Sequence, residues 1–473
     1  MIHRRGLLGR LAPLMAALGL PAAAAAAARV FDVHDHGAVG DGRTLDTQAI
    51  QKAIDAAAAV GGRVLFRRGH RYLTGTLTLR SGIDVHLAGD AQLVASARPE
   101  DYAGDISAPS SPGAETPGAL LSALGADDLT ISGSGSIDGR SPLFMERYDA
   151  ENEWWIPHRF RPRLLVLENC ARLTIRGITI RRAPSWTVHL LGCRQVLIEG
   201  LTILNQLDVP NCDGIDPDHC QDVEIRDCHI VCGDDAIVIK ATAGHEAYGA
   251  SRGIRVRDCR LETQDSGLKI GTETHQDIYD VVFERCRIVR SCRGLCIQLR
   301  DGGSVHGIVF RQITFEARYH SAPWWGRGEA ISFTAIPRTP ATRIGTIRDV
   351  LVEDVTGRAE NSIRVEGLGG ARVSDITFRR VSVTLGRRTR YPGGVFDNRP
   401  TTVVDPIETH DTPGVSLRHA DRITFEACSI GWDANPPDHF SNLLQAQDVT
   451  ALDAGGLTGA AAHPQRDPAR VIR

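Results

Sequence analysis

One spacing limits what this chain can fold into more than any other feature. From Leu173 onward, apolar residues recur at offsets 0, 2, 5 and 7, as in Leu173, Ile175, Ile178 and Ile180. The set returns at Val196, Val223, Ile254, Val281 and Ile308, and later at Ile376 and Ile423. Offsets 0 to 2 and 5 to 7 each bury alternate residues, the two-residue period of a strand. The odd step between them demands a bend, at pairs such as Arg226-Asp227 and Glu284-Arg285. From Leu173 to Ile308 the starts lie 23 to 31 residues apart, too close for a strand, a crossover helix and a return in each unit. Coils of that length stack into one continuous core. The spacing therefore predicts an all-β fold, a single-domain right-handed parallel β-helix. A propeller would need longer, more uniform repeats.

The remaining segments fit around that solenoid. The stretch "DGRTLDTQAIQKAIDAAAAVGG" predicts an N-terminal capping helix with Leu45, Ile50, Ala53, Ile54 and Ala57 on one face, ended by the double glycine. Residues 1–28 carry Arg4-Arg5 and Leu7-Leu8 before an Ala/Gly-rich apolar run, the pattern of a cleavable twin-arginine-like export signal. The run is short for a membrane anchor. A monomeric domain over 29–473, exported to the periplasm or outside the cell and free of the membrane after cleavage, is expected. The net charge of -3 argues against a nucleic-acid footprint. Of eleven cysteines, Cys228, Cys259 and Cys286 share one repeat position, which predicts a buried thiol column; a Cys212–Cys232 bond stays an open alternative.

Chemistry concentrates in "VPNCDGIDPDHC" and "CGDDAIVIK". Aligning "GIDPD", "AIVIK", "GLKIG" and "GLCIQ" on their buried residues gives a third strand per coil. Outward columns then form from Asp216, Val238, Lys269 and Cys296, and from Asp218, Lys240, Gly271 and Gln298. A further column holds Asp213, Asp235, Ser266 and Arg293, with Asp234 beside it. Neighbouring strands lie roughly 4.8 Å apart, so Asp213 and Asp235 should be close. Three carboxyls at that range cannot all ionise freely, and at least one should hold its proton. A protonated acid beside an ionised partner is what glycosidic hydrolysis needs. Asp before Gly also serves ordinary turns, but turn chemistry does not explain the stacking.

On these motifs the chain resembles glycoside hydrolase family 28, the polygalacturonase-like pectin-degrading enzymes. "NCDGIDP" is similar to the family's Asn-Thr-Asp-Gly element, with Cys212 in the Thr position, and "CGDDAIVIK" to its Gly-Asp-Asp element. The resemblance implies Asp234 as general acid and Asp213 and Asp235 as the water-activating pair, with inversion and acid–base carboxyls roughly 6.5–9.5 Å apart. It implies no cofactor and no metal, and a plant polysaccharide or oligosaccharide substrate. Two departures stand out. Ser266 replaces the family's histidine, and Cys296 and Gln298 replace the arginine and lysine that grip a uronate. Lys269, Arg293 and Arg300 are the cations placed to stand in. With Gln298, Asp216 and His219 they make the candidate substrate-binding set.

Trp324 to Glu329, "WWGRGE", and Trp154-Trp155 are candidate sugar-stacking walls or buried loop anchors. Excursions at 315 to 350 and 383 to 423 are placed to close one end of the groove, which favours exo attack. Three alternatives remain open: the same machinery on a non-galacturonate sugar, a β-helix lyase, and a non-catalytic binding solenoid.

Overall fold

The computed structural model describes residues 29–103, 118–368 and 370–472, so the export signal expected over 1–28 lies outside the described residues. The chain winds as a right-handed parallel β-helix. Each coil contributes three strands, and each strand pairs in parallel with its counterpart one coil on. The first column runs through Ala171–Arg176, Arg194–Glu199 and Gln221–Arg226, with Leu173, Val196 and Val223 in register. The second runs through Thr179–Arg181, Thr202–Leu204 and His229–Cys232. The third runs through Val188–Leu191, Ile215–Asp218, Ile237–Ala241, Ser266–Thr274 and Arg293–Leu299.

The four apolar offsets all face one core. Val223, Ile225, Cys228 and Ile230 are buried, as are their equivalents in the neighbouring coils. The bend required between offsets 2 and 5 falls on a single left-handed residue: Gly177, Gly200, Asp227, Asp258, Arg285 and Gln312 in successive coils. That conformation costs an L-residue on the order of 1–2 kcal/mol, so a compensating interaction helps hold it. Arg285 supplies one, donating from Nε to Asp258 Oδ1 at 2.8 Å across one coil. Inside, Phe283, Phe310, Phe333, Phe378 and Phe425 stack along the axis with ring centroids 4.9 to 6.4 Å apart. Gly357 replaces an apolar residue in its coil because a Cβ there would meet the Phe315 ring at 2.2 Å.

A helix spans Thr47–Ala58 and buries Ile50, Ala53, Ile54 and Ala57 against the first coils. Leu45 departs from its expected place: it ends a strand before the helix and is 39% exposed. All eleven cysteines are free and buried. Cys212 accepts from Gly233 N–H at 3.0 Å, and Cys232 donates to Asp234 O at 3.0 Å. No described helix is long and apolar enough to cross a membrane.

Candidate active site

The third strand column carries the acids. Ile215 pairs with Ile237 and Ile237 with Leu268, so the turns before these residues stack, bringing Asp213, Asp235 and Ser266 onto successive coils. One carboxylate oxygen from each of Asp213, Asp234 and Asp235 lies within 4.8 Å of the others. Parallel strand spacing sets the closeness of Asp213 and Asp235, and chain adjacency that of Asp234 and Asp235.

Their surroundings divide the three. Asp235 Oδ2 accepts from Lys269 Nζ at 2.6 Å and Oδ1 from Ser266 N–H at 3.2 Å. Burial works against its charge, yet Lys269 and Lys240 prevail and hold this carboxyl below its ordinary value. Asp234 accepts from Asn211 N–H at 3.1 Å and Asp235 N–H at 2.9 Å. Burial, then the charges of Asp213 and Asp235, outweigh those bonds and push it up to about 7. Asp213 is held well above the usual carboxylate range by burial and by Asp216. It shares a hydrogen bond with the Asp216 carboxyl, and its Oδ2 lies 3.4 Å from Lys240 Nζ. A proton donor and an ionised acceptor thus sit side by side. Asp213, Asp234 and Asp235 are also the group of described residues whose spacing could hold a cation, but the ammonium groups of Lys240 and Lys269 already balance them.

These acids line a cavity of about 260 Å³ together with Asn211, Asp265 and Glu273. Trp154, Trp186, Trp324 and Trp325 form its aromatic sides. Trp154 and Trp324 meet edge to face at 6.1 Å, so both sequence-flagged tryptophan segments reach the cavity; Trp155 packs against the core instead. The hairpin Met145–Asp149 with Trp154–Pro157 is tied to both excursions. Ser321 donates to Asn152 O, Arg390 pairs with Glu153, and Gly326 N–H donates to Asp397 Oδ2 at 2.9 Å.

Of the six expected substrate-binding residues, Lys269 lines the cavity. The others are placed elsewhere. Arg293 sits among Asp265, Glu329 and Asp397 at 3.7 to 3.9 Å. Arg300 donates to Leu299 O and Thr334 Oγ1, and Gln298 Nε2 to Arg399 O at 2.7 Å. His219 faces the carbonyls of Gly249 and Thr242. Asp216 is buried beside Lys240, 3.5 Å from its Nζ, and is pushed up to about 7, mainly by burial. Asp218, expected to shape the groove, is buried too: Arg163 donates to His189 Nδ1 at 2.8 Å, so Nε2 carries the proton that reaches Asp218 Oδ2 at 3.1 Å. The outward positions of this strand face the protein's own loops because the excursions and the 242–250 turn roof them.

Sequence reasoning passed over Asp265, Glu273, Asn211 and Trp186. Lys240 stood in an aligned column with Gln298 but carried no expected role. It lies 3.4 to 3.6 Å from Asp213, Asp216 and Glu273 and 4.1 Å from the Trp186 ring centre. Its column position beside the acids was the available signal.

Residues 67–392 match the sequence profile of glycosyl hydrolases family 28. A probable polygalacturonase of Vitis vinifera is 30% identical over 378 residues, 75% of this chain and 74% of the relative. An exopolygalacturonase of Zea mays is 24% identical over 379 residues, 71% of this chain and 86% of the relative. Among solved structures, an exopolygalacturonase from Thermotoga maritima superposes with a TM-score of 0.66 at 22% identity, over 85% of this chain and 92% of that one.

Proposed function

The chain belongs to glycoside hydrolase family 28, and on that premise we propose that it is an exported enzyme that hydrolyses glycosidic bonds in a pectic polysaccharide or oligosaccharide. The observation that carries this is the split protonation of the acid cluster. Asp234, near 7, keeps a proton for the leaving oxygen. Asp235, held charged by Lys269, takes one from water. Asp213, on the neighbouring coil with an oxygen within 4.8 Å of both, positions that water. Proton donation breaks the glycosidic bond while the deprotonated water adds to the anomeric carbon, so atoms and charge balance. The names of the grape and maize relatives support a pectic substrate.

Exo attack is part of the reading. The tied hairpin and excursions raise a wall on the cavity, which at about 260 Å³ suits one glycosyl unit better than a run of them. Because a water and not a carboxylate attacks in this reading, the anomeric carbon is inverted. A lyase is disfavoured: its base would be an uncharged Lys or Arg, whereas both cavity lysines have pKa values raised by neighbouring carboxylates.

The test is digestion of a panel of pectic polysaccharides, with Asp234→Asn as control. Release of saturated sugars that Asp234→Asn no longer releases supports hydrolysis. A product absorbing in the ultraviolet supports elimination instead. Proton NMR of the first-formed anomer decides between inversion and retention.

A further inference from the structure

The charge balance of the cavity bears on which sugar it takes. Five carboxyl groups line it, Asp213, Asp234, Asp235, Asp265 and Glu273, against two ammonium groups, Lys240 and Lys269. Both ammoniums are engaged and almost fully buried: Lys269 on Asp235 at 2.6 Å, Lys240 among three carboxylates and beside the Trp186 ring. Neither arginine expected to grip a carboxylate lines the cavity: Arg293 lies 3.7 to 3.9 Å from three acids, with Nη1 and Nη2 forming no hydrogen bond, and Arg300 donates to backbone carbonyls and Thr334.

The rest of the cavity lining is uncharged: Asn211, Thr272, two prolines and four tryptophans. The indole Nε1 atoms of Trp154 and Trp324 are buried and have no hydrogen-bond partner in the protein. A buried donor left unpaired is costly. Trp325 adds an aromatic face suited to ring C–H groups. A uronate would bring another anion into a place where acids already resist ionising. Burial together with the charges of neighbouring acids holds Asp213 and Asp265 well above the usual range.

Resting on the hydrolase reading above, we propose that the glycosyl residue whose bond is cut occupies this cavity without a free carboxylate, as a neutral sugar unit of an otherwise acidic pectic chain. No arginine lines the cavity, and its two lysines are held by its own carboxyl groups.

Four disaccharides test this, all with galacturonate at the reducing end. The glycosyl unit is galacturonate, its methyl ester, galactose or rhamnose, and kcat/KM is measured on the full-length protein. At least one uncharged unit should be released tenfold or more faster than galacturonate. Glu273→Gln, which removes one cavity anion, should narrow that gap by lowering KM for the acidic substrate. Galacturonate released as fast as the best uncharged unit overturns the inference and leaves the hydrolase reading standing. Cleavage of none of the four, with no release of sugar from pectic polysaccharides either, removes the hydrolase reading itself.

Discussion

Lys269 holds Asp235 across one coil of the solenoid, Nζ to Oδ2 at 2.6 Å, with both side chains about 3% exposed. The pair keeps one of three crowded carboxyls ionised where burial alone would protonate it. Charge separation inside the acid cluster therefore depends on a residue from the next strand.

Lys269→Met should strand that carboxylate. Leaving one partner of a buried ion pair costs about 3–5 kcal/mol unless the survivor takes up a proton. Asp235 would do so, and its pKa would rise. The acidic limb of kcat/KM should move to higher pH and the plateau fall roughly 10²-fold or more. Lys269→Arg should recover part of the shift. A pH profile of unchanged shape with lower amplitude argues instead for a purely structural role.

Asp234→Asn should lower kcat roughly 10²–10⁴-fold, the usual worth of a positioned general acid. The loss should be small on an aryl glycoside whose leaving group needs no proton. In the wild type, kcat/KM should fall as pH rises through about 7, where Asp234 gives up its proton. The variant should lack that basic limb. Equal loss on both kinds of leaving group rules Asp234 out as the acid.

Much of this was legible because the solenoid converts sequence offsets into distances. Val223 pairs with Val196 and Ile254, as the repeat requires, so aligning coils on buried residues also aligned Asp213 with Asp235 and Ser266. What lies above the strand was not legible. Asp216 and Asp218 occupy outward positions yet are buried, because loops far away in sequence roof them. Trp154, Trp186 and Trp325 reach one cavity from three separate segments, and no periodicity links them. Burial of Arg293 and Arg300 depends on the same roof: Asp397 and Asn398, some hundred residues on, complete their surroundings.

Asp216→Asn tests the electrostatic account through stability. Asp216 has its folded pKa raised to about 7, above the ordinary value near 3.9, so the native state binds its proton more tightly. Its contribution is fully present below about pH 4 and is lost as pH rises through about 7. Asn has no proton to lose. The melting-temperature difference, variant minus wild type, should therefore rise between pH 4.5 and pH 8. Lys240 favours the ionised carboxylate and so already limits how far that value rises. A flat difference contradicts the assigned direction.

Phe333→Ala should remove a rung from the aromatic stack between Phe310 and Phe378. Large-to-small changes at fully buried aromatic sites cost about 3–5 kcal/mol. Each coil contacts only its neighbours, so amide exchange should accelerate most in the flanking coils. Uniform acceleration along the chain shows instead that the solenoid opens as one unit.

The wall over the cavity governs product length if exo attack is right. The hairpin over residues 145–157 holds Trp154 in the cavity and is fixed at its tip, where Asn152 accepts from Ser321 and Glu153 pairs with Arg390. Glu153→Ala removes the ionic tie without touching an acid of the cluster. Replacing 146–156 with a short glycine-serine turn removes the wall itself. The first change should leave kcat within a few-fold, since a part-exposed pair contributes about 0.2–1 kcal/mol. The second should convert release of single units into release of oligomers, seen as a steeper fall in pectin viscosity per bond broken. Those oligomers should appear without a change in the pH limbs, because the hairpin supplies none of the groups that set them. Unchanged product lengths after removal of the wall show that the chain end is recognised elsewhere in the groove.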